Sequence, residues 1–303
     1  MITEELMEKV RQLEIITSRT VNEVFAGEYS SAFRGRGMEF DEVREYAPGD
    51  EIRTIDWNVT ARTGVPHIKR FVEERELTIM LLVDLSASGV FGSAERLKCE
   101  TAAEFSGVMA FAATRNNDKV GLLAFDEEVR AVIPSKKGTN HVLRIMRELI
   151  ERSTHSIGAG HATNIPRALE HLALVQKRKA VVFLVSDFLL PIDGFAPGGE
   201  LDRSLRIASR RHDVVAVRVN DPRERELPKV GLIELRDAET GAVRTIDTSS
   251  KKVRERYTNQ ARARTNALRT LCRRTGIDFA DITTGEPYIR TLVELFKRRE
   301  GRR

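Results

Sequence analysis

Residues 78–88 read TIMLLVDLSAS, an apolar run that leads directly into one carboxylate and two hydroxyls. The run is apolar on both faces, which is typical of a strand in a parallel sheet covered by helices on both sides. Similar strand patterns occur at 120–125, 180–185, 214–219 and, more weakly, 277–281. Helical patterns alternate with them at 95–115, 140–152, 165–176, 201–211, 253–274 and 288–298. This alternation predicts a doubly wound α/β fold with a mainly parallel sheet.

Two smaller features lie outside this alternation. Residues 4–25 carry apolar side chains at spacings near three and four, which predicts an amphipathic helix. Residues 27–75 are rich in turn-forming residues, which predicts irregular or β-rich structure, and 231–247 alternate polar and apolar side chains, which predicts a β-hairpin. We therefore expect an N-terminal part at 1–76 and an α/β domain at 77–303 with a hairpin insertion at 223–248.

Length and composition exclude several classes of protein. The chain has 303 residues, 41% of them hydrophobic, which is enough for a well-buried core and excludes a disordered or fibrous chain. Its apolar runs, such as 79–83 and 108–113, are far shorter than the roughly 20 residues needed to span a bilayer. The first residues are acidic and amphipathic, unlike a secretory signal. We therefore expect a cytoplasmic protein with no membrane span.

The net charge of +5 is concentrated near the C-terminus. Residues 251–303 hold 15 basic and 6 acidic side chains, so the rest of the chain is slightly acidic. A basic helix at 253–274 could contact nucleic acid, but it lacks the interleaved aromatic residues typical of such surfaces, and a solvated helix face has the same pattern. We therefore do not expect a nucleic-acid partner.

Polar side chains follow the predicted strands at the edge of the sheet where parallel strands end. Asp84, Ser86 and Ser88 follow the first strand, Asp187 follows a later strand, and Thr163 lies in a loop that leads into a helix. Ligands collect at this edge of open α/β sheets. An Asp-x-Ser-x-Ser turn places alternate side chains on one side, so one carboxylate and two hydroxyls can converge on a hard cation. The set predicts a Mg²⁺ or Mn²⁺ site with an open coordination position.

Each of these residues also has a purely structural interpretation. Asp and Ser after a strand commonly cap turns, and Thr163 taken alone is typical of a helix N-cap. Asp187 could accept hydrogen bonds from loop amides. The presence of all five residues at one edge favours the metal site.

The same five residues resemble the metal-ion-dependent adhesion site of von Willebrand factor A domains. In that site Asp-x-Ser-x-Ser, a later Thr and a further Asp surround a divalent cation. All five positions match in identity and order: Asp84, Ser86, Ser88, Thr163 and Asp187. The resemblance implies a von Willebrand factor A-type fold and a cation that can bind an acidic group of another molecule.

The segment before the sheet is similar to the signature of a bacterial family, domain of unknown function 58. The similarity rests on 33–40 (FRGRGMEF), 44–46 (REY), 48–50 (PGD), 53–58 (RTIDWN) and 61–62 (AR). It implies a von Willebrand factor A-like domain and a MoxR-type AAA+ ATPase as a partner.

We expect this segment to be held by ion pairs and not to bind a nucleotide, since it lacks the glycine and lysine spacing of a phosphate loop. The expected pairs join Arg34, Arg36, Arg44 and Arg53 to Glu39, Asp41, Asp50 and Asp56. Trp57 is expected to pack between this segment and the sheet.

Two functions fit the predicted site. The first is a non-catalytic adaptor whose bound cation captures an acidic residue of a MoxR-type ATPase or of its client protein. The alternative is a Mg²⁺-dependent phosphohydrolase, because such enzymes also place a nucleophilic Asp at the end of the first strand of a doubly wound sheet. Those enzymes carry a second acid two residues later, where this chain has Ser86.

Overall fold

The computed structural model describes residues 17, 38–73, 76–93, 96–155, 162–236 and 241–301. The chain divides into two compact units, Phe33–Leu77 and a larger unit that contains Thr78–Arg303. The helix predicted at 4–25 lies outside the described residues except for Thr17, and so do residues 27–37 of the turn-rich segment.

The smaller unit is built on two antiparallel strands, β1 (Met38–Glu45) and β2 (His67–Glu73). A short 3-10 helix (Ile52–Thr54) and the helix α1 (Trp57–Thr63) connect them. The β-rich structure expected for this segment is therefore present in its described part.

One expected ion pair of this unit is confirmed and another is replaced. Arg44 donates to both carboxylate oxygens of Asp50, at 2.8 and 2.6 Å. The expected pairing of Arg53 with Asp56 is wrong, because Asp56 instead caps α1 through Oδ1 and lies 3.2 Å from Lys69 Nζ through Oδ2. The helix amides hold one oxygen of this capping carboxylate, and the cation that reaches the other oxygen lies on the neighbouring strand β2.

The expected burial of Trp57 is also wrong. Trp57 is the first residue of α1 and is 67% exposed. The capping side chain of Asp56 fixes the start of this helix, so the helix does not need a buried aromatic anchor there.

The larger unit is organised around a six-stranded sheet. The described strands of the larger unit, which include two outside this sheet, are β3 (Thr78–Asp84), β4 (Lys119–Phe125), β5 (Val129–Lys136), β6 (Val181–Ser186), β7 (Asp213–Asn220), β8 (Leu232–Arg236), β9 (Val243–Asp247) and β10 (Asp278–Thr283). The order in the main sheet is β10-β7-β6-β3-β4-β5, and every neighbouring pair is parallel except β4 and β5. The predicted mainly parallel α/β sheet is confirmed.

Helices cover both faces of this sheet. They are α2 (Lys98–Arg115), α3 (Thr139–His155), α4 (Ile165–Val175), α5 (Glu200–Arg211), α6 (Pro222–Arg225), α7 (Lys251–Thr275) and α8 (Ile289–Glu300). Buried side chains of α4, α5 and α7 share one apolar core with alternate residues of β3, β6 and β7. On α2, Phe105 meets Phe183 of β6 edge to face, with ring centroids 5.8 Å apart.

The strand β5 was not expected from the sequence. Its residues are mostly half-buried, and it includes Pro134. Both properties suit a strand at the edge of a sheet, where one side needs no hydrogen-bonded neighbour. The continuous apolar run that marks the buried central strands is therefore interrupted in β5.

The predicted hairpin at 231–247 is present as the antiparallel pair β8 and β9, which forms a sheet of its own. No helix in the described ranges has both the length and the apolar character that crossing a membrane requires.

Asp202 on α5 connects this helix to α7 through hydrogen bonds. Its carboxylate accepts hydrogen bonds from the Gly198 N–H at 3.0 Å, from Arg206 Nε at 3.1 Å and from Arg274 Nε at 2.9 Å. Burial alone would raise the pKa of Asp202, but these hydrogen bonds lower it from 3.8 to about 2.

We predict that Asp202→Asn lowers the free energy of unfolding by about 2 kcal/mol at neutral pH, because charged hydrogen bonds are lost. Since the folded pKa is depressed, the carboxylate stabilises the protein above pH 3.8, and this contribution disappears as the pH falls towards about 2. Urea unfolding of both proteins across this range measures it. Asp193→Asn, at an exposed position, is the control, and a difference that does not shrink in acid would contradict the assignment.

Candidate metal-binding site

The candidate site lies where β3 and β6 end. Asp84 is the last residue of β3, and Asp187 follows the last residue of β6, Ser186. The two strands are parallel neighbours, with Val83 opposite Val185. Their carboxyl ends therefore meet at the same edge of the sheet, as the sequence predicts.

Asp84 is held by hydrogen bonds from three directions. Its Oδ1 accepts from the Ser86 N–H at 2.9 Å. Its Oδ2 accepts from Ser186 Oγ at 2.6 Å and from Thr163 Oγ1 at 3.1 Å. The carboxylate is thus fixed in a buried position between the ends of two strands and a distant loop.

Thr163 does not cap the helix that follows it. The N-cap of α4 is Asn164, whose side-chain oxygen accepts a hydrogen bond from the Arg167 N–H at 3.0 Å. The capping interpretation of Thr163 is therefore wrong, and its hydroxyl contacts Asp84 instead.

The two serines link the ends of β3 and β6. Ser88 lies in a 3-10 helix (Ala87–Val90), and its Oγ is 3.0 Å from Ser86 Oγ. The Ser88 hydroxyl also acts to lower the pKa of Asp187. Asp84, Ser86, Ser88 and Thr163 therefore belong to one hydrogen-bonded cluster. Asp187 lies beside it, and its Oδ1 is fixed by the Leu189 N–H at 3.1 Å.

A buried lysine completes this cluster. The side chain of Lys98, the first residue of α2, is only 2% exposed. Its Nζ donates to Asp187 Oδ2 at 2.6 Å and to Glu224 Oε1 at 2.5 Å. Glu224 lies on α6 and accepts a hydrogen bond from the Asp221 N–H through Oε2, so the capping of α6 positions the second partner of the lysine.

Burial and charge act against each other on these groups. Burial, followed by the negative charge of Asp187, raises the pKa of Asp84 to about 6. Burial also opposes ionisation of Asp187, but the Lys98 charge, together with hydrogen bonds to the carboxylate, lowers the pKa of Asp187. Burial would lower the pKa of Lys98, but the charges of Asp187 and Glu224 raise it. Lys98 is thus a permanent cation beside Asp187.

Burial has the largest effect on the pKa of Glu224, the second partner of Lys98. It raises the pKa of Glu224, although the Lys98 charge acts to lower it. Asp187 therefore ionises more readily than Glu224, and the Lys98–Asp187 pair carries the fixed charges of the cluster.

The donor atoms suit a small hard cation. Oxygens 2.0–2.1 Å from an octahedral Mg²⁺ lie about 2.9 Å from their neighbours. The Ser86 Oγ–Ser88 Oγ and Thr163 Oγ1–Asp84 Oδ2 pairs, 3.0 and 3.1 Å apart, are hydrogen-bonded to each other, and this spacing is also compatible with a shared ion. Within the described ranges, no group of three or more His, Cys, Asp and Glu side chains is arranged to hold a metal. A cation at this edge would therefore depend on hydroxyl oxygens.

Sequence reasoning missed two of the charged residues that shape the site. Lys98 and Glu224 belong to segments far apart in the chain, and neither segment carries a motif that marks it. Lysine at the start of a helix is ordinarily solvent-exposed, so only the packing of α2 against the sheet reveals its burial. The hydrogen bond from the Ser186 hydroxyl to Asp84 was not predicted either.

Comparisons with known proteins agree with the sequence signature. The family model described as protein of unknown function DUF58 matches residues 42–267. An uncharacterized protein of Mycobacterium bovis is 31% identical over 294 residues, which is 96% of this chain and 89% of that protein. An uncharacterized protein of Mycobacterium tuberculosis gives the same values.

Solved structures are similar at low sequence identity. The conserved hypothetical protein BatB from Bacteroides thetaiotaomicron has a TM-score of 0.45 and 15% identity, covering 74% of this chain and 99% of that one. The SpRpn10 VWA domain has a TM-score of 0.38 and 9% identity, covering 74% of this chain and 95% of that one.

We predict that Lys98→Met lowers the free energy of unfolding by about 3–5 kcal/mol, because it leaves Asp187 and Glu224 buried without their cation. Chemical denaturation of the purified variant measures this. The control is Lys177→Met, which removes an exposed lysine and should have little effect. Adding Glu224→Gln to Lys98→Met should recover part of the loss, and equal stability of the wild type and Lys98→Met would contradict the buried ion pair.

Proposed function

This chain belongs to the DUF58 family, whose function is unknown, and we propose that it is a non-catalytic cytoplasmic adaptor that binds a partner protein through a divalent cation. The proposal rests on the cluster of carboxylate and hydroxyl oxygens where β3 and β6 end. The residues that would hold Mg²⁺ or Mn²⁺ are Asp84, Ser86, Ser88, Thr163 and Asp187.

The charge balance of the cluster supports a role in binding. Three of the five candidate ligands are neutral hydroxyls, and Lys98 already offsets the charge of Asp187. A divalent cation held by such a set keeps much of its positive charge and, when bound, supplies a coordination position for a carboxylate of another protein. The protein's own part is to hold the oxygens in place through the hydrogen bonds from Ser186 to Asp84 and between Ser86 and Ser88.

We propose a MoxR-type AAA+ ATPase, or a client of that ATPase, as the partner that supplies the acidic residue. This part of the proposal rests on the family signature at 33–62, which the resemblance links to such ATPases. The slightly acidic character of residues 1–250 favours attraction of a divalent cation over direct attraction of an acidic partner.

We favour an adaptor over the alternative phosphohydrolase because of the surroundings of Asp84. Both of its carboxylate oxygens accept hydrogen bonds, and Ser86 stands where a general acid would be needed. Hydrolysis of a generic phosphate ester by the wild type, abolished by Asp84→Asn, would support the enzyme instead.

The first prediction of this proposed function concerns binding of the metal itself. We expect saturable Mn²⁺ binding with one site, followed by electron paramagnetic resonance, and competition by Mg²⁺. Asp84→Ala should abolish it, and Thr163→Ala should weaken it at least about tenfold, since each removes an oxygen donor. Asp193→Ala, an exposed carboxylate elsewhere, should bind as the wild type does. Equal binding by Asp84→Ala would contradict the assignment.

The second prediction concerns the partner. We expect the purified MoxR-type ATPase of the same organism to bind the immobilised wild-type protein in Mg²⁺, and to dissociate when a chelator is added. Asp84→Ala should bind weakly in both conditions, whereas Asp193→Ala should behave as the wild type. Binding that is absent, or that ignores both the chelator and Asp84→Ala, would overturn the metal-bridged contact.

A further inference from the structure

A second polar cavity lies at the carboxyl-terminal edge of the sheet, apart from the cluster around Asp84. It is open, has a volume of about 380 Å³, and lies between α7 and the last residues of β7 and β10. Four arginines line it: Arg218, Arg225, Arg262 and Arg269. We call it the arginine pocket. Ligands of open α/β proteins bind in crevices at this edge.

The floor of the arginine pocket is a fixed ion pair. Arg218 and Asp281 are register partners on β7 and β10, so their side chains lie on the same face. Arg218 donates to both Asp281 oxygens at 2.9 Å and to Thr265 Oγ1 at 2.6 Å. These bonds use three of its five N–H donors and hold the guanidinium in place, so it serves as a structural base for the pocket.

Two further arginines crowd the same carboxylate. Arg269 and Arg225 lie 3.4 and 3.5 Å from Asp281 Oδ2, distances at which each ion pair is weak. Arg269 also lies over the Phe279 ring, 5.6 Å from its centroid, which restricts where its guanidinium can point. One carboxylate therefore faces three guanidinium groups and neutralises only one of them.

The other residues that line the pocket do not neutralise this excess positive charge. Arg262 on α7 is exposed and has no ion pair among the described residues, and Glu226 is the only other acid that lines the pocket. Four cations and two anions give the pocket a net charge of +2. Thr258 and Asn266 add neutral hydrogen-bonding groups on the α7 side.

We propose that the arginine pocket binds the phosphate group of a small-molecule ligand. A phosphate monoester carries a charge of about −1.5 to −2 at neutral pH, which matches the excess positive charge of the pocket. The planar fork of arginine pairs with two phosphate oxygens at once, and the half-exposed Arg225 and exposed Arg262 can turn towards such a group. A single carboxylate supplies only one negative charge and would leave part of the positive charge of the pocket without a counter-charge.

The test is calorimetric titration of the full chain at low ionic strength with inorganic phosphate, pyrophosphate and ATP, in separate arms. The buffer contains a chelator, so the outcome does not depend on the proposed metal site. We expect one saturable site, and the arm that binds tightest distinguishes a free phosphate from a nucleotide. The double variant Arg225→Gln/Arg262→Gln should weaken binding about tenfold or more, since two charged donors are lost.

The controls separate a specific site from general positive charge. Arg256→Gln removes an exposed charge of α7 outside the pocket and should change the affinity less than about twofold. Arg262→Lys keeps the charge but loses the planar fork, so it should bind less tightly than the wild type. No saturable binding in any arm, equal binding by the double variant, or an equal affinity for acetate, which carries a single carboxylate, would overturn the proposal. Neither glutamine of the double variant replaces a buried side chain, and thermal unfolding verifies that it folds.

Discussion

The pairing of β3 with both β4 and β6 is the constraint on which the rest of the larger unit depends. β3 is buried on both faces, so its backbone groups have partners only if both neighbouring strands lie in register. That register places the end of β3 beside the end of β6. Asp84 then lies within 2.6 Å of Ser186 Oγ, although the two residues are separated by more than a hundred positions in the chain.

Burial at this edge imposes a second constraint, which is electrostatic. Three carboxyl groups, those of Asp84, Asp187 and Glu224, lie close together in a region from which water is largely excluded. Lys98 is the cation that reaches two of them, Asp187 and Glu224. Without a cation, such a group of acids would protonate or the structure would open. The lysine thereby fixes Asp187 as a carboxylate at the place where a divalent ion would need it.

The short helix α6 stands between the two polar features of the edge. Its Glu224 contacts Lys98 in the cluster around Asp84, and the next residue, Arg225, lines the arginine pocket. The cap of α6, Asp221, is completely buried and accepts hydrogen bonds from the Ser93 N–H and Thr284 Oγ1. One rigid turn therefore positions a carboxylate on one side and a guanidinium on the other, which keeps an acidic and a basic region apart on the same edge.

The sequence by itself determined the parallel α/β fold, the position of its central strands and the five residues of the candidate site. Runs such as 78–83 are apolar on both faces, and strand ends in a parallel sheet can meet only at one edge. The sequence did not reveal β5, the exposure of Trp57 or the cap at Asn164. An apolar pattern marks neither an edge strand nor the residue that caps a helix. Only the tertiary structure decided that Lys98 is buried beside Asp187 and that three arginines converge on Asp281. Charges distant in the chain interact through space, and no spacing rule along a sequence encodes that distance.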